Sequence, residues 1–292
     1  MSDSSPIFIG GAGRSGTTLV VDMIGLHPRI SPIYETDFVI QLIDLLFTGK
    51  QLPLQKFVAS LTHCMDEWTR PLPLRPHNKR EHERYHHGPH HILFDRSFAL
   101  DRTITFASAL KRGEVEAGFR DFLTALFAEH CRLDGKPRWA NKTPAYVHHL
   151  PLLQKLFPAM RFVHCIRDGR DVACSVMTRP WGPKTVPEAA TWWATKVQDG
   201  VTFAEQNPDQ CLEVRFEDFL LEPRKTLDRV FCWLGEPACS DEILRHYQDG
   251  VVRLEPDRIG EWDRRFSPTD REEFDEVAGQ LLDHFGYRCT RG

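Results

Sequence analysis

Residues 11–18 read Gly11-Ala12-Gly13-Arg14-Ser15-Gly16-Thr17-Thr18, two glycines five positions apart with two threonines behind them. The pattern is that of a phosphate-binding loop, whose backbone amides cradle phosphate oxygens and whose Lys reaches the terminal phosphates. Here Thr17 stands at the Lys position. A glycine loop between a strand and a helix start still makes an anion site, because free N–H groups and the helix dipole point at the ligand. Arg14, inside the loop, can supply the missing positive charge. A second anion pattern lies some 150 residues further on, in Phe162-Val163-His164-Cys165-Ile166-Arg167-Asp168-Gly169-Arg170-Asp171-Val172-Ala173-Cys174-Ser175. An apolar run delivers Arg167, and Ser175 follows eight residues later. A guanidinium, a hydroxyl and a helix start together make a phosphate clamp.

These residues need particular elements to hold them. Pro6 to Gly10 is a short apolar run closed by glycine, the mark of a buried strand. Leu19, Val20, Met23, Ile24 and Leu26 then repeat at helical spacing. Arg161 to Ile166 is a second buried strand, with a helix predicted from Val172 to Thr178. Arg138 to Lys142 and Cys211 to Phe216 read as further strands. Helices are expected over 42–47, 119–130, 146–157, 187–207, 223–235, 242–247 and 271–285. Residues 49–115 look less regular, with Pro71, Pro73 and Pro76 breaking any helix and a polar, His-rich stretch behind them. Strands alternating with helices predict an α/β, three-layer, P-loop-like fold with a central, mainly parallel sheet flanked by helices. With no Pro/Ser-rich linker, the chain reads as one domain over 1–292 with an irregular insertion at about 50–115.

Bulk composition narrows the function. The chain has 292 residues, 37 basic against 41 acidic side chains, and 41% apolar residues. These are ordinary globular values and exclude a disordered tail, a collagen repeat or a disulfide-dense scaffold. A net charge of −4 argues against a nucleic-acid polymer as partner. Arg outnumbers Lys by 27 to 10. Arg suits phosphate and sulfate geometry, although codon usage accounts for most of the excess. No stretch approaches the roughly 18 apolar residues of a membrane span. The first residues lack a basic, apolar signal pattern. None of the 8 Cys forms a Cys-x-x-Cys pair, which fits reduced thiols in a cytoplasmic protein. His77, His82, His86, His87, His90 and His91 cluster in the insertion. A metal needs convergent ligands with a supporting shell, and no clear helix sets that geometry, so no metal is expected.

The run Ile7 to Thr18 resembles the 5′-phosphosulfate loop of the sulfotransferases that use 3′-phosphoadenosine 5′-phosphosulfate. Its Arg-Ser-Gly-Thr-Thr core is similar to the branch containing tyrosylprotein sulfotransferases and many bacterial relatives; the cytosolic branch has Lys at the position of Arg14. Phe162 to Ser175 looks like the family's 3′-phosphate motif, and the resemblance covers most of the chain. It implies a donor site made of Gly13, Arg14, Ser15, Gly16, Thr17 and Thr18 at the 5′ end. Arg167, Ser175 and Arg179 would serve the 3′-phosphate. Phe216 stands where the branch has a nucleotide-binding Tyr, so only apolar contact carries over. Arg258 and Gly260, in Arg258-Ile259-Gly260-Glu261-Trp262, match a late loop that closes over the nucleotide.

The same resemblance assigns the chemistry. Sulfuryl transfer is in-line attack on sulfur, so it needs a base for the acceptor proton and cations for the developing charge. Glu35 lies twenty-one residues after Arg14, as the branch's Glu does after its loop Arg, and is the candidate general base. Otherwise it is an N-cap or first-turn acid of the next helix. Lys142, in Asn141-Lys142-Thr143-Pro144, matches the Lys that stabilises the leaving oxygen, and Arg14 shares that work. His148 or His149 could replace Glu35 as base. Asp37 occurs where the branch has an Arg that helps hold a protein acceptor, which argues against peptidyl tyrosine. The acceptor is a small-molecule, sugar or peptidyl hydroxyl, shaped by the insertion. Two alternatives are a P-loop nucleotide kinase and a non-catalytic nucleotide-binding relative. Thr17 in place of Lys, and a clamp for a phosphate that ATP lacks, disfavour the kinase.

Overall fold

The computed structural model describes residues 5–49, 53–69, 95–248 and 256–287. Among these residues five strands form one sheet: β1 (Ile7–Gly11), β2 (Ile30–Tyr34), β3 (Arg138–Lys142), β4 (Arg161–Ile166) and β5 (Cys211–Arg215). The strand order is β2-β3-β1-β4-β5. The first helices are α1 (Thr17–Gly25), α2 (Asp37–Phe47), α3 (Leu54–Trp68), α4 (Arg96–Lys111) and α5 (Val115–Asp134). The later ones are α6 (Leu150–Leu156), α7 (Gly169–Val176), α8 (Val186–Gln206), α9 (Phe216–Leu221), α10 (Pro223–Leu234), α11 (Ser240–Gln248), α12 (Glu261–Arg265) and α13 (Pro268–His284). The architecture is α/β and P-loop-like, a parallel sheet flanked by helices. The chain divides into two compact units, Met1–His27 with Ala140–Gly292, and Pro28–Trp139.

In the first unit, β1 is buried along its whole length between β3 and β4. Its register pairs Ile9 with Lys142 on one side and with Val163 on the other, both parallel. Strands covered on both faces read as continuous apolar runs, which is why β1 and β4 stand out in the sequence. Parallel pairing brings the carboxyl ends of β1, β3, β4 and β5 to one edge, where α/β folds bind ligands. Helix α8 starts on a capping box between Thr185 and Glu188. A Cβ on Gly200 would come within 2.2 Å of the His164 ring, so only glycine lets α8 lie this close to β4. Trp193 of α8 is fully buried, 6.0 Å from Phe274 of α13 between ring centroids. Gly169 opens α7 because a Cβ there would meet Trp193 at 2.5 Å.

In the second unit, α5 ends on Gly135 at φ 70 and buries Phe119, Phe122, Leu126 and Phe127. Phe122 stacks on Phe106 of α4 at 4.9 Å, and Phe57 of α3 meets Phe106 edge-on at 6.1 Å. The span 50–115 therefore carries two helices that the sequence reading left irregular. Helix α4 buries Phe106 together with Ala99, Thr103, Ala107 and Ala109, four small residues that give little periodic hydrophobic signal. Strand β2 also escaped prediction, because Pro32 interrupts it. It occupies the edge of the sheet, where a missing N–H is tolerated. The histidines from His77 to His91 lie outside the described residues.

Candidate active site

The phosphate loop leaves β1 at Gly11, where φ is 143° and a Cβ would sit 2.3 Å from the Cys165 carbonyl oxygen. It closes with Ser15 N–H donating to the Ala12 carbonyl at 3.2 Å, and α1 begins at Thr17. Gly16 is its left-handed N-cap at φ 79°, packed so tightly on Phe216 that a Cβ would meet the ring at 2.3 Å. No side chain caps α1, so its first N–H groups stay directed at the loop. Arg14 also has positive φ, at 72°. Its side chain is exposed, and its Nε donates to Ser175 Oγ at 3.0 Å. Thr17 is buried.

Lys142 approaches the loop from the neighbouring strand. Register places it beside Ile9 at the carboxyl end of β3, where it is 1% exposed. Its Nζ donates to Thr18 Oγ1 at 3.2 Å. The neighbouring strand, rather than the loop, brings an ammonium to the loop. A buried cation of this kind suits an anionic ligand.

The second clamp grows from β4 and α7. Arg167 lies just past Ile166 and is 5% exposed. Its Nη2 donates to the Arg258 carbonyl at 2.7 Å and its Nη1 to the Arg14 carbonyl at 3.4 Å, and its Cζ lies 4.8 Å from the Phe216 ring centroid. Asp168 caps α7 through Arg170 N–H and holds the Arg170 guanidinium with both carboxylate oxygens, at 3.0 and 2.7 Å. The Asp-Gly-Arg turn thus contains an internal ion pair, and it is buried. Arg167 takes no part in it. Ser15 Oγ, Arg167 Nε and Arg179 Nε are buried without a hydrogen-bond partner. Ser15 lies within the loop and Arg167 reaches its Arg14 carbonyl, so two of these open polar atoms sit at the loop. Cys174 beside Ser175 is pushed up to about 12, chiefly by burial, so it stays a neutral thiol.

The late loop reaches this clamp through its backbone. The Arg258 side chain is exposed, while its carbonyl meets Arg167. Gly260 has φ 73° and donates its N–H to Asp171 Oδ2 at 2.9 Å. Trp262 N–H donates to Asp171 Oδ1 at 3.0 Å. Burial pushes the Asp171 carboxyl above its ordinary range, against the pull of those N–H groups and of Arg167. The sequence reading passed over Asp171; its signal was the second acid of Arg-Asp-Gly-Arg-Asp.

In the second unit, Glu35 follows β2 directly. It is half-buried with φ 26°. Helix α2 takes Thr36 as N-cap and Asp37 as first-turn acid, so Glu35 stands outside the helix and serves neither role. Arg14 and Glu35 are the two non-glycine residues with positive φ among the described residues. Both ring nitrogens of His148 are engaged, Nδ1 with Asp199 at 2.6 Å and Nε2 with Lys196 at 2.9 Å.

A model described as "Sulfotransferase family" matches residues 6–241. Protein-tyrosine sulfotransferase 1 of Danio rerio is 24% identical over 251 residues, 84% of this chain and 56% of that protein. Protein-tyrosine sulfotransferase A of Caenorhabditis elegans is 25% identical over 249 residues, 83% of this chain and 52% of that protein. The chain thus spans little more than half the length of these two curated relatives. The sulfotransferase domain of the Synechococcus PCC 7002 olefin synthase superposes with a TM-score of 0.55 at 18% identity, over 97% of this chain and 96% of that one. The sulfotransferase domain of the curacin biosynthetic pathway gives 0.56 at 17% identity, over 96% and 98%. These two likenesses bear on the fold. The expected cytoplasmic location is overturned by the relatives, which are protein-tyrosine sulfotransferases. No helix among the described residues is long and apolar enough to cross a membrane.

Proposed function

This chain belongs to the sulfotransferase family, and on that footing we propose that it transfers a sulfuryl group from 3′-phosphoadenosine 5′-phosphosulfate to a hydroxyl acceptor. The acceptor oxygen attacks sulfur in line. An O–S bond forms, the S–O bond to the 5′-phosphate breaks, and adenosine 3′,5′-bisphosphate leaves with the electron pair. The observation that carries the donor assignment is the buried polar cradle: Ser15 Oγ and Arg167 Nε lack partners beside an uncapped helix start, with Arg167 also reaching the Arg14 carbonyl. In this proposal the amides of residues 13–18, with Thr17 and Thr18, hold the 5′-phosphate. Lys142 and Arg14 neutralise charge on the bridging and equatorial oxygens. Arg167, Ser175 and Arg179 hold the 3′-phosphate, the loop of Arg258 and Gly260 closes over the nucleotide, and Phe216 gives apolar contact.

Glu35 is the proposed general base, taking the acceptor proton. Its support is the backbone: strained φ in a non-glycine residue persists where function holds it, and Arg14 shares the feature. A peptidyl hydroxyl is the proposed acceptor class, supported by the protein-tyrosine sulfotransferases among the relatives. Asp37 in place of a family Arg argues that the flanking peptide contacts differ.

A panel of tyrosine peptides, sugars and phenols with sulfur-35-labelled donor tests the transfer. Glu35→Gln is expected to lower kcat by about 10²–10⁴-fold with the affinity for adenosine 3′,5′-bisphosphate unchanged. Lys142→Met is expected to cost about 10²–10³-fold in kcat. Full turnover in Glu35→Gln would remove Glu35 as the base. Absence of labelled product with every acceptor, alongside tight binding of ATP with magnesium, would favour a kinase instead.

A further inference from the structure

We infer that Asp171 is a positioning residue for the donor, a latch that holds residues 258–262 against Arg167 before any nucleotide arrives. The inference rests on the donor assignment proposed above. Asp171 is completely buried, and its two carboxylate oxygens each accept one loop N–H, from Gly260 and from Trp262. The same carboxylate lies 3.7 Å from Arg167 Nη2, which in turn donates to the Arg258 carbonyl. Arg167, the loop backbone and Asp171 thus close a ring of polar contacts. Gly260, in the left-handed region, reverses the chain so that both N–H groups face one carboxylate. They are two of the donors left open at the start of α12, satisfied here by a distant acid. Trp262 is held between two guanidiniums, Arg170 at 3.7 Å and Arg271 at 5.1 Å from the ring centroid.

An acid beside a phosphate clamp needs a reason, because a bare carboxylate repels phosphate. Here Arg167 and two N–H groups offset its charge, and its product is an ordered loop. The ordering entropy is then spent in folding rather than in binding, which favours the bound geometry. Asn at this position offers one oxygen and one NH₂, and the NH₂ cannot accept the second N–H.

The test compares adenosine 3′,5′-bisphosphate with adenosine 5′-phosphate by calorimetry on wild type and D171N. Losing a hydrogen bond to a charged group predicts that D171N binds the bisphosphate about 10–100-fold more weakly. The monophosphate, which has nothing for Arg167 to grip, should bind with unchanged affinity. Donor KM rises by the same factor as the bisphosphate Kd, while kcat at saturating donor is retained. Equal weakening of both nucleotides, or weakening of neither, overturns the latch. Hydrogen exchange gives a readout without any variant: the Gly260 and Trp262 amides are expected to be protected in nucleotide-free wild type. Unprotected exchange there overturns the latch whatever the nucleotides do. A wild type that binds both nucleotides alike, yet protects both amides, sinks the donor assignment and leaves the latch standing.

Discussion

Arg14 and Glu35 share a backbone conformation that neither side chain favours, and such strain costs about 1–3 kcal/mol per residue. In the first unit a buried acid is held in an equally specific way. Glu217 is 4% exposed, with Oε1 accepting Asp168 N–H at 2.9 Å and Oε2 accepting the Tyr287 hydroxyl at 2.7 Å. Burial pushes its carboxyl above the ordinary range despite those two hydrogen bonds. A carboxyl with a raised folded pKa contributes stability below its unfolded pKa of about 4.3, and loses it as pH rises through the folded value. Glu217→Gln keeps the acceptor for Asp168 and does not titrate. The melting-temperature advantage of wild type over this variant should therefore shrink as pH rises from about 4 through the raised pKa, then level off. An advantage that grows with pH would contradict the assignment. These contacts were hidden in the sequence, because Glu217 and Tyr287 are 70 residues apart and read as ordinary surface types.

The elements explain why the loop is legible and part of its surroundings are not. Strand, glycines and helix follow one another within residues 7–25, so local pattern alone predicts them. Gly16 has two separate reasons to be glycine, its φ of 79° and the Phe216 ring that fills the space of a Cβ. Gly16→Ala is expected to destabilise the fold by about 1–3 kcal/mol in chemical denaturation. The loss should be smaller in a Phe216→Ala background, which removes the clash but not the backbone strain. Strict additivity would mean that the ring does not set the loop. Strand β5 was predicted to run to Phe216, but it stops at Arg215 and Phe216 opens α9, turning its ring towards the loop. Helix α4 and strand β2 were missed because small residues and an edge proline mute their periods.

At the scale of the whole molecule, a net charge of −4 coexists with cations gathered at the carboxyl edge of the sheet, at Lys142 and Arg167. Adenosine 3′,5′-bisphosphate at a hundred times its Kd should add about 2.7 kcal/mol of stability. Its protection against hydrogen exchange is expected to concentrate in residues 11–18, 166–179 and 258–262. Protection confined to residues 28–139 would contradict a donor site on the first unit. The sequence by itself determined the glycine loop between β1 and α1, Arg167 at the end of β4 and the α/β class, because each is written in neighbouring residues whose spacing matches a strand or a helix. Only the tertiary structure decided that Lys142 reaches Thr18 of the loop, that Asp171 binds a loop 89 residues away, and that Phe216 demands Gly16. Those are contacts across parallel strands and between distant loops. They are fixed by sheet register and chain reversal, which no local pattern of residue types encodes.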